Sequence, residues 1–123
     1  MVGLKTVQKA LQAEVLAGAQ YMDKEAEMAC GADLMSDVLA FTKRKTLLLT
    51  GLANMQVVKT ADVSDLSALV FVRGKEPTPE ILAAAESKGL PVMMTKYTMF
   101  EACGRLYAIG LIGCPPKGAE ERR

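Results

Sequence analysis

Apolar residues in this chain follow two rhythms. Short, nearly unbroken runs at residues 46–50, 68–72 and 91–94 have the length and polar flanks of strands buried on both faces. Between and after them, apolar residues recur three and four apart, the spacing of a helix with one buried face. Thr78, Pro79 and Glu80 open one such helix with a capping hydroxyl, a proline at the first helical position and a carboxylate in the first turn. Ile81, Leu82 and Ala85 make its buried face, and Gly89 stops it. Thr98 opens the next helix, and Glu101 three positions on completes a capping-box pair. Strand, turn, helix, repeated, is the rhythm of a parallel sheet covered by helices. The groups that do chemistry in such sheets gather at the carboxyl ends of the strands.

The rest of the chain extends the pattern. Val7, Ala10 and Leu11 make one face of a helix predicted over residues 6–12. Residues 14–16 read as a short strand closed by Ala17 and Gly18, and residues 26–32 as a second one. Asp23, Lys24, Glu25 and Glu27 form a charged, solvated turn. Asp33 precedes Leu34, Met35, Val38, Leu39 and Phe41 at helical spacing and is expected to cap that helix, with Ser36 and Asp37 in its first turn. Lys43, Arg44 and Lys45 suit the carboxyl end of the same helix better than they suit a phosphate patch. A helix over residues 54–61 puts Met55, Val58 and Ala61 on one face, and residues 62–67 make a turn. Phe100, Cys103, Gly104 and Tyr107 share a face of the last helix. Gly104 in mid-helix costs up to about 1 kcal/mol relative to alanine, which points to close packing against a neighbour. Residues 109–114 are apolar, and residues 115–123 are polar and expected to be disordered. The expectation is a single α/β domain over residues 1–112, with a tail over 113–123. Its mainly parallel sheet should have about four to five strands, with helices packed on it.

Composition narrows the function. The chain has 123 residues, half of them hydrophobic, enough for one real core. Fifteen basic and 14 acidic residues leave a net charge of +1. That balance argues against nucleic acid or an anionic membrane as a partner held by bulk charge. No apolar run approaches the roughly 20 residues that span a bilayer. Lys5, Lys9 and Glu14 interrupt the amino-terminal apolar pattern, so no signal-peptide core is read there and a cytoplasmic location is expected. Cys30, Cys103 and Cys114 form no CxxC pair, and histidine is missing. A zinc or iron–sulfur site would have to gather cysteines from distant positions, so no metal is expected and the cysteines read as reduced, mostly buried thiols. Without histidine there is no Ser-His or Cys-His arrangement and no usual general base.

Nucleotide signatures are missing as well: the chain has neither GxxxxGK[ST] nor GxGxxG, and Gly74-Lys75 lacks the flanks of a P-loop. Asp33, Asp37, Asp62 and Asp65 sit near turns, where aspartate is more often a cap than a catalyst. What remains are the groups expected at neighbouring strand ends. Thr50, Gly51 and Asn54 follow the first long strand, Arg73, Gly74 and Lys75 the second, and Thr95, Lys96, Tyr97 and Thr98 the third. They offer close backbone approach, hydroxyls, helix amides and cations for a phosphate or other anion, and Tyr97 offers a ring for a base. The alternative is that all are ordinary turn and cap residues.

Several strings resemble the DRTGG-domain family: Ala32-Asp33-Leu34-Met35-Ser36-Asp37-Val38-Leu39, Leu49-Thr50-Gly51 and Val72-Arg73-Gly74-Lys75. Leu90-Pro91-Val92-Met93-Met94-Thr95-Lys96-Tyr97-Thr98 and Phe100-Glu101-Ala102-Cys103-Gly104-Arg105-Leu106-Tyr107 add to them. The likeness runs from about residue 3 to 110, and none of the strings is a catalytic signature. The family's naming motif would fall at residues 23–29, where Asp23 and a basic Lys24 match and the Thr-Gly-Gly part does not. The chain is similar to the small stand-alone members encoded near iron-only hydrogenase genes. The resemblance implies an α/β fold similar to the amino-terminal domain of HPr kinase/phosphorylase. It also implies a regulatory, dimer-forming role like that of the domains found beside adenine-nucleotide-sensing CBS domains in pyrophosphatases. The resulting expectation is a non-catalytic homodimer without cofactor that binds an adenine nucleotide or other phosphorylated metabolite. The candidate ligand-binding residues are Asp33, Ser36, Thr50, Gly51, Asn54, Arg73, Gly74, Thr95, Lys96 and Tyr97. The alternative is a ligand-free module that docks on a larger, hydrogenase-related redox enzyme. It would dock through an apolar surface around Met99, Cys103, Gly104 and residues 111–114.

Overall fold

The computed structural model describes residues 1–41 and 45–115. In chain order the elements are β1 (Val2–Gly3), α1 (Leu4–Leu11), β2 (Glu14–Ala17), β3 (Glu25–Ala26), β4 (Met28–Gly31), α2 (Met35–Phe41) and β5 (Thr46–Thr50). They continue with α3 (Met55–Val63), β6 (Ala68–Phe71), α4 (Pro79–Ser87), β7 (Val92–Met94), α5 (Met99–Ala108) and β8 (Ile112–Gly113). Six strands form one sheet in the order β2-β7-β6-β5-β4-β8, and β1 pairs with β3 in a separate two-stranded ribbon. Neighbours from β8 through β7 are parallel, and only β2 runs antiparallel, against β7. The mainly parallel sheet read from the sequence is therefore present, with short strands added at its edges.

Every residue of β5, β6 and β7 is buried, because helices cover both faces of the sheet. Alternation sorts their side chains. Leu47, Leu49, Ala68, Val70 and Met93 pack with Leu4, Val7 and Leu11 of α1 and with Ala102 and Leu106 of α5. Leu48, Leu69, Phe71 and Val92 pack with Met35 and Val38 of α2, Val57, Val58 and Ala61 of α3, and Ile81 and Ala85 of α4. The chain steps from β4 to β7 through α2, α3 and α4 on one face, then returns to β8 through α5 on the other. Right-handed crossovers require that change of face when the chain reverses direction across a parallel sheet.

Of the three caps expected from the sequence, Thr78 forms its bond and Thr98 and Asp33 do not, while Asn54 adds one that was not expected. The Asn54 side chain accepts from the Val57 N–H at 3.2 Å, and the Thr78 hydroxyl accepts from the Ile81 N–H at 3.4 Å. Thr98 occupies the cap position of α5 without a side-chain cap bond. The expected capping box does not form, because the Glu101 carboxylate bonds Arg105 at 2.9 Å one turn along the helix. Asp33 does not cap α2 either, since its carboxylate reaches across to the next strand. The charged stretch after Asp23 is only partly a turn, because Glu25 and Ala26 pair with Gly3 and Val2. Of the basic triplet, Lys43 and Arg44 lie outside the described residues, and Lys45 turns into β5 with φ 60°. The expected disorder over 115–123 falls outside the described residues except for Pro115, which is buried.

Candidate functional site

The connection after β6 leads to α4 on one face, and the connection after β7 leads to α5 on the other. Adjacent strands whose connections part in this way mark the topological switch point, where open α/β sheets take their ligands. The two loops are tied together there. The Arg73 N–H donates to the Tyr97 carbonyl and the Gly74 N–H donates to the Thr95 carbonyl, each at 2.8 Å. Both donors sit in the left-handed region, Arg73 at φ 60° and Gly74 at φ 68°. Glycine adopts that conformation freely, whereas a residue with a side chain gives up roughly 1–2 kcal/mol there.

From this turn the Arg73 guanidinium lies over Gly51 at the end of β5. A Cβ built on Gly51 would stand 2.5 Å from a terminal nitrogen of Arg73, so glycine is what leaves the cation its place. Beside it, Asp33 Oδ1 accepts from the Thr50 hydroxyl at 2.9 Å and from the Gly51 N–H at 2.8 Å. The Thr50 oxygen in turn accepts from the Leu52 N–H at 3.1 Å. The Gly51 N–H above all, then the Thr50 hydroxyl and the Arg73 charge, hold the Asp33 carboxyl below the usual aspartate range, against an opposing push from burial. Asp33 is thus a fixed carboxylate. Among the described residues its Oδ2 takes no hydrogen bond, and Arg73 makes no ion pair. The ends of β4, β5 and β6 therefore hold an exposed cation next to an acceptor oxygen, a pairing suited to an anionic ligand that also carries a hydroxyl or amine.

Beyond Tyr97 lies a cleft of about 270 Å³, lined by Thr95, Lys96, Tyr97, Gln12 and Glu14 among others. The buried Thr95 hydroxyl is engaged inside the protein, donating to the Leu11 carbonyl at 2.7 Å and accepting from the Tyr97 N–H at 3.2 Å. The Arg105 guanidinium stacks on the Tyr97 ring at 4.1 Å from its centre, which occupies one ring face. Lys96 is exposed.

The ten residues singled out in the sequence fall into three groups. Asp33, Thr50, Gly51 and Arg73 converge, and Gly74 joins them through its backbone. Thr95, Lys96 and Tyr97 adjoin them on the side of the cleft. Ser36 stays exposed on α2 without a described bond to the cluster, and the Asn54 side chain is held in its cap. Sequence reasoning missed Gln12, Glu14 and Arg105. Gln12 reaches the cleft because it ends α1 at φ 48°, and nothing in its identity signals that conformation. Arg105 meets Tyr97 by helix spacing from the loop before α5, a relation that is visible only once the helix start is fixed.

The fold recurs in the crystal structure of the CBS and DRTGG domains of the regulatory region of Clostridium perfringens pyrophosphatase, complexed with its activator diadenosine tetraphosphate. The match has a TM-score of 0.69 at 18% sequence identity and covers 95% of this chain. The chain spans 52% of that one, so it corresponds to about half of the pyrophosphatase regulatory region. No curated protein matches the chain significantly in sequence. The DRTGG domain pattern matches residues 6–109, and the chain belongs to that family.

Proposed function

We propose that the protein is a non-catalytic regulatory domain that binds an adenine nucleotide or another phosphorylated metabolite at the carboxyl ends of β4 to β7. The observation that carries this reading is the Arg73 guanidinium, held over Gly51 by a left-handed turn and facing the fixed Asp33 carboxylate. In the proposed complex, Arg73 and Lys96 meet phosphate charge, the Tyr97 ring takes the base where it lines the cleft, and Asp33 Oδ2 accepts from a ligand hydroxyl or amine. The pyrophosphatase regulatory region, which shares the fold, carries an adenine dinucleotide. That activator, diadenosine tetraphosphate, is the natural first probe for this chain.

Homodimer formation belongs to the same reading. Phe100 is 89% exposed and Tyr107 is 74% exposed on α5, and nothing lies within 4 Å of a Cβ built on Gly104 between them. An aromatic pair flanking a bare glycine suits a second copy of the helix face. The same patch also favours the second reading, a ligand-free module docking on a larger redox enzyme. In that case the contact residues are Phe100, Tyr107 and the 40%-exposed Ile112. They replace Met99, Cys103 and Leu111, which pack against or within the core.

A thermal-shift screen against adenine nucleotides, dinucleotides and phosphorylated metabolites, with molecular size measured alongside, separates the readings. A ligand at about a hundred times its Kd adds about 2.7 kcal/mol to stability, a shift of several degrees. Arg73→Ala should abolish the shift. Full retention in that variant would remove Arg73 from the site, and no shift with any compound would favour the docking module.

A further inference from the structure

β8 pairs with β4 in parallel, Met28 opposite Ile112 and Ala29 opposite Gly113. Cys30 and Cys114 each follow the last pair of that register, and their side chains are close enough to interact directly. Neighbouring strands lie about 4.8 Å apart, inside the Cα separation of about 4.4–6.8 Å that a disulfide spans. Both residues are half-buried thiols, within reach of small solutes. Cys103 is near enough to act on Cys30 electrostatically, but it packs on the other side of the sheet. Cys30 packs with the α2, α3 and α4 side of the sheet, whereas Cys103 packs with the α1 and α5 side, 2.9 Å from a Cβ built on Gly31. Among the described residues no three cysteine or carboxylate side chains converge in a way that could hold a metal ion. The arrangement is therefore a pair with a bystander.

We propose that Cys30 and Cys114 form a reversible disulfide by exchange with a low-molecular-weight disulfide such as oxidised glutathione. The thiolate of Cys114 attacks one glutathione sulfur, and the S–S bond breaks to release one glutathione thiol. Cys30 then gives up its proton and attacks the Cys114 sulfur of the mixed disulfide, releasing the second glutathione thiol. The two protein thiols are oxidised, and one glutathione disulfide is reduced to two thiols that carry the protons away. The order of attack follows from the environment of Cys30. The neighbouring Cys114 and burial push its thiol well up, so its proton leaves last. The product ties β8 to β4 covalently and closes a loop containing most of the domain. Loops that long give disulfides their largest effect on the unfolded chain.

The test is incubation of the full chain in glutathione buffers of rising oxidised fraction, followed by alkylation, proteolysis and mass spectrometry without reduction. The expected result is a peptide containing Cys30 linked to one containing Cys114, lighter by two hydrogens, with Cys103 alkylated. The oxidised protein should unfold at higher temperature, and dithiothreitol should reverse the gain. Cys103→Ser should keep the link and the gain, and Cys30→Ser and Cys114→Ser should lose both. Alkylation of both Cys30 and Cys114 at the most oxidising ratio would overturn the proposal. A link through Cys103, a link between chains, or stable glutathione adducts on the separate thiols would overturn it too. The mapping on the unmodified chain decides the matter even where a variant does not fold.

Discussion

The Gly51 N–H donates to Asp33 Oδ1 at 2.8 Å, so the carboxylate joins the ends of two neighbouring strands. The bond is charge-assisted and holds the folded-state pKa of Asp33 below its ordinary value. A depressed carboxyl pKa contributes stability above the unfolded value of about 3.9, and the contribution is lost as pH falls through the folded value. Asp33→Asn should therefore melt below the wild-type protein at neutral pH. The gap should narrow below about pH 4 and close under stronger acid. Melting curves of both proteins across the acid range check this, and a gap that stays constant would mean that the charge of Asp33 has no part in the tie.

Gly51→Ala tests the seat of Arg73. The new Cβ would meet the terminal nitrogen of a long, exposed side chain and not backbone, so the guanidinium can swing away. Gly51 is buried, but the methyl meets only a displaceable side-chain end, so stability should fall by about 1 kcal/mol or less, no more than an average substitution. Ligand-induced stabilisation should fall sharply, because the cation no longer sits beside Asp33. Loss of fold in this variant would contradict the first expectation, and an unchanged ligand shift the second.

The sequence spoke most clearly where a segment is buried on both sides. The runs that became β5, β6 and β7 are continuous because helices cover both faces, and the strand-end rule then led to Thr50, Gly51 and Arg73. Asp33 was legible as a member of the strand-end group and not in the bonds it makes there. An aspartate before an apolar helix has a choice between the helix amides and any other donor, and the fold supplies the Thr50 hydroxyl and Gly51 N–H. Glu101 met the same competition from Arg105. The β1–β3 ribbon and β8 are two residues per strand, too short to show a period. The left-handed turn at Arg73 and the pairing of Cys30 with Cys114 are set by tertiary structure alone, since neither residue type signals its position.

Thr95 links the switch-point loop to α1. Its side chain is 1% exposed and bonds both the Leu11 carbonyl, at the end of α1, and the Tyr97 N–H. Thr95→Val keeps the shape and leaves both partners unmatched in a buried place. The cost should be roughly 1–3 kcal/mol, the penalty for orphaned buried polar groups. Chemical denaturation gives the loss directly, and hydrogen exchange should show faster opening at the Tyr97 amide. A loss near zero would mean that water replaces the hydroxyl through the adjoining cleft.

Two glycines should respond to alanine in opposite directions. Gly18 sits at φ 70°, and a Cβ there would lie 2.7 Å from the Pro91 Cα and 2.8 Å from the Leu90 carbonyl oxygen. Backbone cannot swing aside as a side chain can, and the conformation alone costs an alanine about 1–3 kcal/mol. The substitution also pulls on the Gly18 N–H that donates to the Glu86 carboxylate at 2.8 Å. Gly18→Ala should be strongly destabilised. Gly104, in mid-helix with nothing within 4 Å of its Cβ position, should gain up to about 1 kcal/mol as alanine in the isolated chain. If α5 packs against a second copy through Phe100 and Tyr107, the same methyl would fall in that contact. Gly104→Ala would then melt higher when dilute while its dimer dissociates more readily. Melting and sedimentation over a range of concentrations separate the two effects. A variant that is both more stable and as firmly dimeric would place the contact elsewhere.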